Sequence, residues 1–428
     1  MARDFHNQAS VRTSLFQVCL FFLAVCGCAS TAGAQQTRAD VLADDRAAKA
    51  EGADTSVALE RGRLERTFSW AEAKLEDESS THEGFYPELG GMITGAGISV
   101  GPGYRHYLFG DRAVVDASAA VSWRRYSMFQ SRIEWPRLLE DRLSVGAQVK
   151  YQDFTQNNFF GIGGGSLKAN QTDFRLKDVD VLGFATVHAN RWLSVGGRGG
   201  VLRSVNIARG TNPLYPSTEE VFDESSAPSL AQQPGYLHSD VFLDVDARDV
   251  PGYPTSGGRY RVSVAAFHDR TYSQYSFRRV EADAAQYIPL LHKNWVLALR
   301  GRMAMSETGA GQEVPFYLLP ALGGPTTLRG FSNYRFRDRN LLLVNAEYRW
   351  PIFRALDGAL FYDAGTVTAQ SLTLHHPHTD YGAGVRLHST TRTLVRLDLA
   401  RSLEGNRVIF SFTAPFGASN HSVVPYVP

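Results

Sequence analysis

At 428 residues, with 43% hydrophobic and 20% charged residues and a mean hydropathy of -0.22, the chain is too polar for a bundle of membrane helices. A formal net charge of +1 offers no basic surface for nucleic acid and no polybasic membrane patch. Gly 39, Tyr 18 and Phe 25 favour strands and tight turns. Only 6 of the 44 cations are lysine, a bias that fits genome composition or a lumen of guanidinium–carboxylate pairs equally well.

The first predicted element is a secretory signal peptide over residues 1–34. Arg3 and Arg12 precede an apolar stretch from Leu15 to Val25, and Ala32-Gly33-Ala34 supplies small residues for cleavage. All three cysteines (Cys19, Cys26, Cys28) lie inside it, so cleavage excludes a disulfide framework and a thiolate metal site. Val25-Cys26-Gly27-Cys28 also resembles a lipoprotein box with Cys26 as its poorest fit, and lipidation at Cys28 stays open. Cutting after Ala34 removes two cations and one anion and leaves a neutral chain. Residues 35–84 read as a periplasmic lead-in, partly helical or disordered. Leu59, Leu64, Phe68 and Leu75 stand at near-helical spacing between Ser56 and Glu76, so a docking helix is the alternative.

From Phe85 to Phe416 the period becomes two. Val145, Ala147, Val149 and Tyr151 alternate with Ser144, Gly146, Gln148 and Lys150, and Val241, Leu243 and Val245 alternate with Phe242, Asp244 and Asp246. Val395, Leu397 and Leu399 alternate with Arg396, Asp398 and Ala400. Such strands lie between two different solvents. A soluble sandwich gives similar local patterns. Here, though, the segments are near ten residues long and charges repeat down one face. Aromatics also gather at segment ends (Tyr104, Tyr107, Trp123, Tyr126, Trp350), as interfacial girdles require. The expectation is an all-β transmembrane antiparallel barrel of about 16 strands, because in lipid only a closed sheet pairs every backbone group. The predicted strands are 86–96, 97–108, 112–125, 127–137, 141–154, 172–188, 191–206 and 236–248. They continue with 257–269, 273–289, 293–306, 339–351, 358–367, 380–389, 392–402 and 406–416. With both termini periplasmic, residues 155–171, 207–235, 307–338 and 368–379 become outer loops.

The last strand places Val408, Phe410, Phe412, Ala414 and Phe416 on one outward face. That face resembles the C-terminal signal by which barrels are recognised for assembly, except that a tail, 417–428, follows it.

The most informative segment is Leu322-Gly323-Gly324-Pro325-Thr326-Thr327-Leu328-Arg329-Gly330-Phe331, inside a long outer loop. By parity Glu347 and Asp363 both face the lumen on neighbouring strands. An arginine on a loop folded back inside could bridge both with its planar fork. A buried guanidinium without such partners is very costly.

On these residues the chain resembles the BamA/TamA family of outer-membrane assembly and secretion barrels, the bacterial surface antigen family. The resemblance rests on Arg329-Gly330-Phe331, the Glu347 strand, Phe361-Tyr362-Asp363-Ala364-Gly365 and the end from Gly405 to Phe416. Asp246-Ala247-Arg248-Asp249 with Pro254 and Gly257 looks like that family's mid-barrel turn. About 330 residues are covered, from Phe85 to Phe416. The resemblance implies that Arg329 tucks into the lumen and pins to Glu347 and Asp363. It implies a seam between first and last strands that opens laterally. A clamp that only stabilises the barrel is the plainer alternative. The family's inserting members carry periplasmic POTRA domains, for which the stretch between Ala34 and Phe85 is too short. Client capture is then expected from a separate protein.

Other motifs carry less. Gly161-Ile162-Gly163-Gly164-Gly165 lacks the helix and Lys-Ser/Thr of a phosphate loop, and Ser166 lacks the context of a nucleophile elbow. His375, His376, His378 and Asp380 read as a solvated loop tip rather than a metal site. The expectation is a non-enzyme with no cofactor and no metal, assisting insertion or translocation of a protein or lipid-like client. Its partners are outer-membrane lipids and lipopolysaccharide, a separate POTRA-type protein or an unfolded client, and no nucleic acid. A passive pore or structural barrel is the second reading and an outer-membrane enzyme the third.

Overall fold

The computed structural model describes residues 83–90, 92, 94–290, 295–353, 355–389, 391–412 and 416. The expected signal peptide, the lead-in up to residue 82 and the tail 417–428 lie outside the described residues. Sixteen strands form one antiparallel sheet in which each strand pairs with the next in sequence. They are β1 (Gly84–Gly90), β2 (Ser99–Leu108), β3 (Ala113–Ser122), β4 (Ser127–Leu138), β5 (Leu143–Phe159), β6 (Thr172–His188), β7 (Leu193–Arg209) and β8 (Tyr236–Asp246). The second half is β9 (Gly257–Asp269), β10 (Phe277–Pro289), β11 (Val296–Thr308), β12 (Asn340–Phe353), β13 (Leu356–Thr368), β14 (His378–His388), β15 (Thr393–Ser402) and β16 (Gly405–Ser411). Among the described residues no helix is long and apolar enough to cross a membrane.

The two faces are inverted relative to a soluble protein. Val241 is 62% exposed and Leu399 57%, whereas Arg386, Arg396, Asp363 and Asp380 are fully buried. Apolar side chains point outward to form a lipid-facing band, and ion pairs line the inside. Around the wall these include Arg105 with Asp116, Arg175 with Asp153, Arg259 with Asp244 and Arg300 with Asp283. The sheet curls until both its edges flank one loop. The Tyr334 hydroxyl donates to the carbonyl of Thr94, between β1 and β2, at 2.9 Å, and Arg335 pairs with Glu404, between β15 and β16, at 2.7 Å.

Inside the wall, glycines make room for aromatic rings. A Cβ at Gly146 would come within 2.4 Å of the Ile133 carbonyl oxygen and 2.5 Å of the Phe184 ring, which lies across it from β6 with the Arg132 guanidinium 4.4 Å from its centroid. Gly146→Ala is therefore expected to lower stability by about 1–3 kcal/mol, measured as a lower unfolding midpoint of the heat-modifiable folded form. An unchanged midpoint would show that both the ring and the Ile133 backbone give way freely.

Four expectations need correction. The first strand ends at Gly90, not 96. β5 runs on to Phe159, whose buried ring joins Phe174, Tyr236, Phe267, Phe277 and Phe316 in an apolar cap under the outer loops. Tyr126 is no girdle residue: it is 1% exposed and stacks on Phe154, with its hydroxyl donating to the Gln156 carbonyl. The last strand ends at Ser411, paired with Arg396 near the start of β15, so little wall remains beside later residues. Val408 and Phe410 face outward as expected, and Phe412 packs on Phe410 with centroids 5.0 Å apart. Phe416, by contrast, packs against the buried Tyr287 of β10, 6.4 Å between centroids, and so leaves the outward row.

Candidate functional site: the inward loop and its charged wall

Loop 6 (309–339) joins β11 to β12 and folds into the lumen. Its neck is a short antiparallel ladder, Ala321 with Arg337 and Leu322 with Phe336. Gly323 and Gly324 follow at φ of +110° and +107°, a backbone region open to glycine. The loop then closes on itself. Gly323 N–H donates to the Thr327 hydroxyl at 2.9 Å, and Gly324 N–H to the Leu328 carbonyl at 3.1 Å. Leu328, Phe331 and Phe336 pack with Leu341, Leu343 and Val367 of the wall. These apolar contacts hold the tip so that Arg329, between two anchored residues, points at the strands.

The Arg329 guanidinium is 2% exposed. Its Nε and Nη2 donate to Asp363 at 2.7 and 2.8 Å, and its Nη1 donates to Glu347 at 2.6 Å. Its flat face covers the Phe361 ring at 3.6 Å. The fork thus satisfies two carboxylates while the ring supplies a cation–π contact, which accounts for the phenylalanine two positions before Asp363. Glycines fit around it. A Cβ on Gly330 would lie 2.6 Å from that of Asp380, and one on Gly365 2.9 Å from Leu322 Cδ1.

The structure therefore brings Arg329, Gly330, Phe331, Glu347, Asp363 and Gly365 together. It also adds residues that sequence motifs did not single out. Arg386 of β14 donates to Glu347 at 2.9 and 3.3 Å and pairs with Asp398 of β15, which in turn faces Arg396 at 3.3 Å. The strand alternation placed Arg396 and Asp398 on the lumen face, and Arg386 shares parity with Asp380. Their convergence on one loop arginine depends on register across four strands. Asp380 stands opposite Asp363 in that register, beside the Gly330 amide, and among the described residues it pairs with no cation.

Wall side chains also capture the loop's backbone. Arg396 donates to the Pro325 carbonyl, Arg300 to Thr326, Asn345 to Thr327, Ser402 to Gly330 and Arg407 to Phe331. A loop buried in this way needs every carbonyl answered, and five donors from four strands answer these.

The Gly161–Gly165 segment has a place here too. Gly163 N–H donates to the Arg337 carbonyl at 2.7 Å, and Arg335 donates to the Ser166 hydroxyl and carbonyl at 2.8 and 2.7 Å. The glycines permit close passage over loop 6. His378 is not at a solvated tip: it stacks on Phe336 at 3.7 Å and its Nε2 donates to the Gly164 carbonyl. His375 and His376 are exposed and pack on each other. Among the described residues no three His, Cys, Asp or Glu side chains are grouped to hold a metal.

Comparisons with known proteins agree with this geometry. The model of the Omp85 superfamily domain matches residues 108–412. Among solved structures, BamA from Haemophilus ducreyi lacking POTRA domains 1–3 is similar at 16% identity, covering 81% of this chain and 77% of that one, with a TM-score of 0.55. CdiB from Escherichia coli is similar at 12% identity, covering 80% of this chain and 62% of that one, with a TM-score of 0.50.

Proposed function

Because the chain belongs to the Omp85 superfamily, a family of outer-membrane barrels, we propose that it assists insertion or translocation of a protein or lipid-like client at the outer membrane. The observation that carries this reading is the span of loop 6. Its tip is pinned by Arg329 to β12 and β13. The segment that follows, 333–335, bonds to both margins of the sheet, through Tyr334 to Thr94, Arg335 to Glu404 and Arg407 to Asn333. A loop that ties down the two edges of a sheet can also release them.

Strand length supports the same place of action. β1 and β16 have 7 residues each, while β5, β6 and β7 have 17. With a rise of about 3.3 Å and a tilt of about 40°, the edge strands reach about 18 Å, less than an apolar band of about 25 Å. Lipid beside them is thinned, which lowers the barrier to a strand entering from the side. In this reading the chain performs no chemistry of its own. Glu347 and Asp363 already accept from guanidinium groups and are poorly suited to proton transfer. A separate periplasmic POTRA-type protein delivers the client.

The second reading is a passive or structural barrel, favoured by how fully the Arg329 guanidinium itself is satisfied, with Nε, Nη1 and Nη2 all donating to carboxylates. The two separate in proteoliposomes. With this chain present, a urea-unfolded eight-stranded outer-membrane barrel is expected to fold several-fold faster than in protein-free liposomes of the same lipid. Equal rates would favour the passive barrel.

A further inference from the structure

The connection between β8 and β9, residues 247–256, does not hang into the periplasm as a plain turn. It folds back across the mouth of the barrel. Gly252 pairs with Arg392 just before β15, and Thr393 N–H donates to the Gly252 carbonyl at 3.1 Å. Tyr253 stacks on His388 of β14, with centroids 4.1 Å apart and planes 10° apart, and its hydroxyl donates to Asp357 of β13. Arg349 of β12 lies 4.8 Å from the Tyr253 ring and donates to the Pro254 carbonyl. Tyr253, Arg349, Asp357 and His388 are all 3% exposed or less.

These contacts span the lumen. β15 is seven places from β8 in a ring of sixteen, where eight places is a full diameter. The turn is also stiffened for that reach. Asp249 accepts from Val250 N–H at 2.9 Å and Thr255 N–H at 3.0 Å, and Arg248 donates to the Asp246 carboxylate at 2.7 Å and the Pro251 carbonyl at 3.0 Å. Gly257 closes it at φ +83°, where a Cβ would strike the Ala247 carbonyl. Phe416 widens the same layer by packing on Tyr287, whose ring lies 5.7 Å from Arg349.

We propose that residues 247–256 form a floor sealing the periplasmic mouth of the lumen, and that this floor opens independently of loop 6. The side chains that hold the floor (Arg349, Asp357, His388) are distinct from those that hold the loop tip (Glu347, Asp363, Arg386), although both sets lie on β12, β13 and β14. The lumen is then closed at both ends at rest, and a client arriving from the periplasm meets the floor and the sheet edges before any pore.

Ala359 of β13 is fully buried and lies between these two layers, paired with Arg349. The test uses the full chain with Cys19, Cys26 and Cys28 changed to serine, carrying Ala359→Cys, in lipid nanodiscs. The reagent is a membrane-impermeant maleimide, and heat-modifiability certifies folding. In the otherwise unchanged chain, labelling is expected to be slow. Tyr253→Ala, or His388→Ala if the first variant does not fold, is expected to speed labelling at least tenfold, while Arg329→Ala leaves it slow. Fast labelling with the floor intact, or acceleration by Arg329→Ala but by neither floor variant, would overturn the proposal.

Discussion

Arg329→Ala is expected to destabilise the folded barrel by about 3–5 kcal/mol, seen as a lower unfolding midpoint in urea or heat. The reason is what it leaves behind. Glu347 and Asp363 are fully buried, and each loses the closest of its cationic donors. Arg386 still reaches Glu347, whereas Asp363 loses both of its guanidinium bonds and keeps the Asn345 amide, at 2.8 Å. Removing one member of a buried ion pair costs more than the pair contributes, because the other charge stays desolvated. Arg329→Lys is expected to recover only part of the loss. An ammonium is a point donor and cannot hold two carboxylates in one plane or cover the Phe361 ring as a flat guanidinium does. A midpoint unchanged in Arg329→Ala would mean that water enters and hydrates both carboxylates.

The second large effect is an asymmetry between two aspartates that face each other. Asp363 accepts from Arg329 Nε and Nη2 and from Asn345, whereas Asp380 meets only the Gly330 amide and the Asp363 carboxylate and, among the described residues, pairs with no cation. Asp363→Asn puts an N–H₂ group where a guanidinium donates, and is expected to cost about 3 kcal/mol or more. Asp380→Asn sets an amide, which still can donate to Asp363 and accept from Gly330 N–H, in a crowded wall in which Arg329, Arg386 and Arg396 meet Glu347, Asp363 and Asp398. It is expected to change stability by no more than about 1 kcal/mol, or to raise it. Unfolding midpoints of the two variants side by side decide the matter. Equal losses would show that Asp380 also holds the loop.

Much of the barrel was legible because its physics is periodic. Alternation places Val241 and Leu243 in lipid and Asp244 inside, and it identifies Glu347 and Asp363 as lumen residues before any register is known. The Arg-Gly-Phe segment stood out because a loop needs a reason to carry an arginine between anchoring residues. What stayed hidden depended on register and on the backbone. Arg386 and Asp398 complete the network from β14 and β15, yet nothing in their local sequence ties them to residue 329. The carbonyls caught by Arg300, Arg396 and Arg407 have no side-chain signature at all. Alternation likewise carried the last strand past Ser411 to Phe416, although the neighbouring strand ends the available partners there. The turn after Asp246 looked like a turn, and its reach to His388 is a fact of tertiary structure.

In the proposed function the margins of the sheet, β1 and β16, part to admit a client. This parting is tested most directly by pairing cysteines across those two strands, oxidising them, and following the folding of a urea-unfolded eight-stranded barrel into the same liposomes. Oxidation is expected to abolish the acceleration, and a reductant is expected to restore it. Undiminished acceleration by the crosslinked chain would contradict the account.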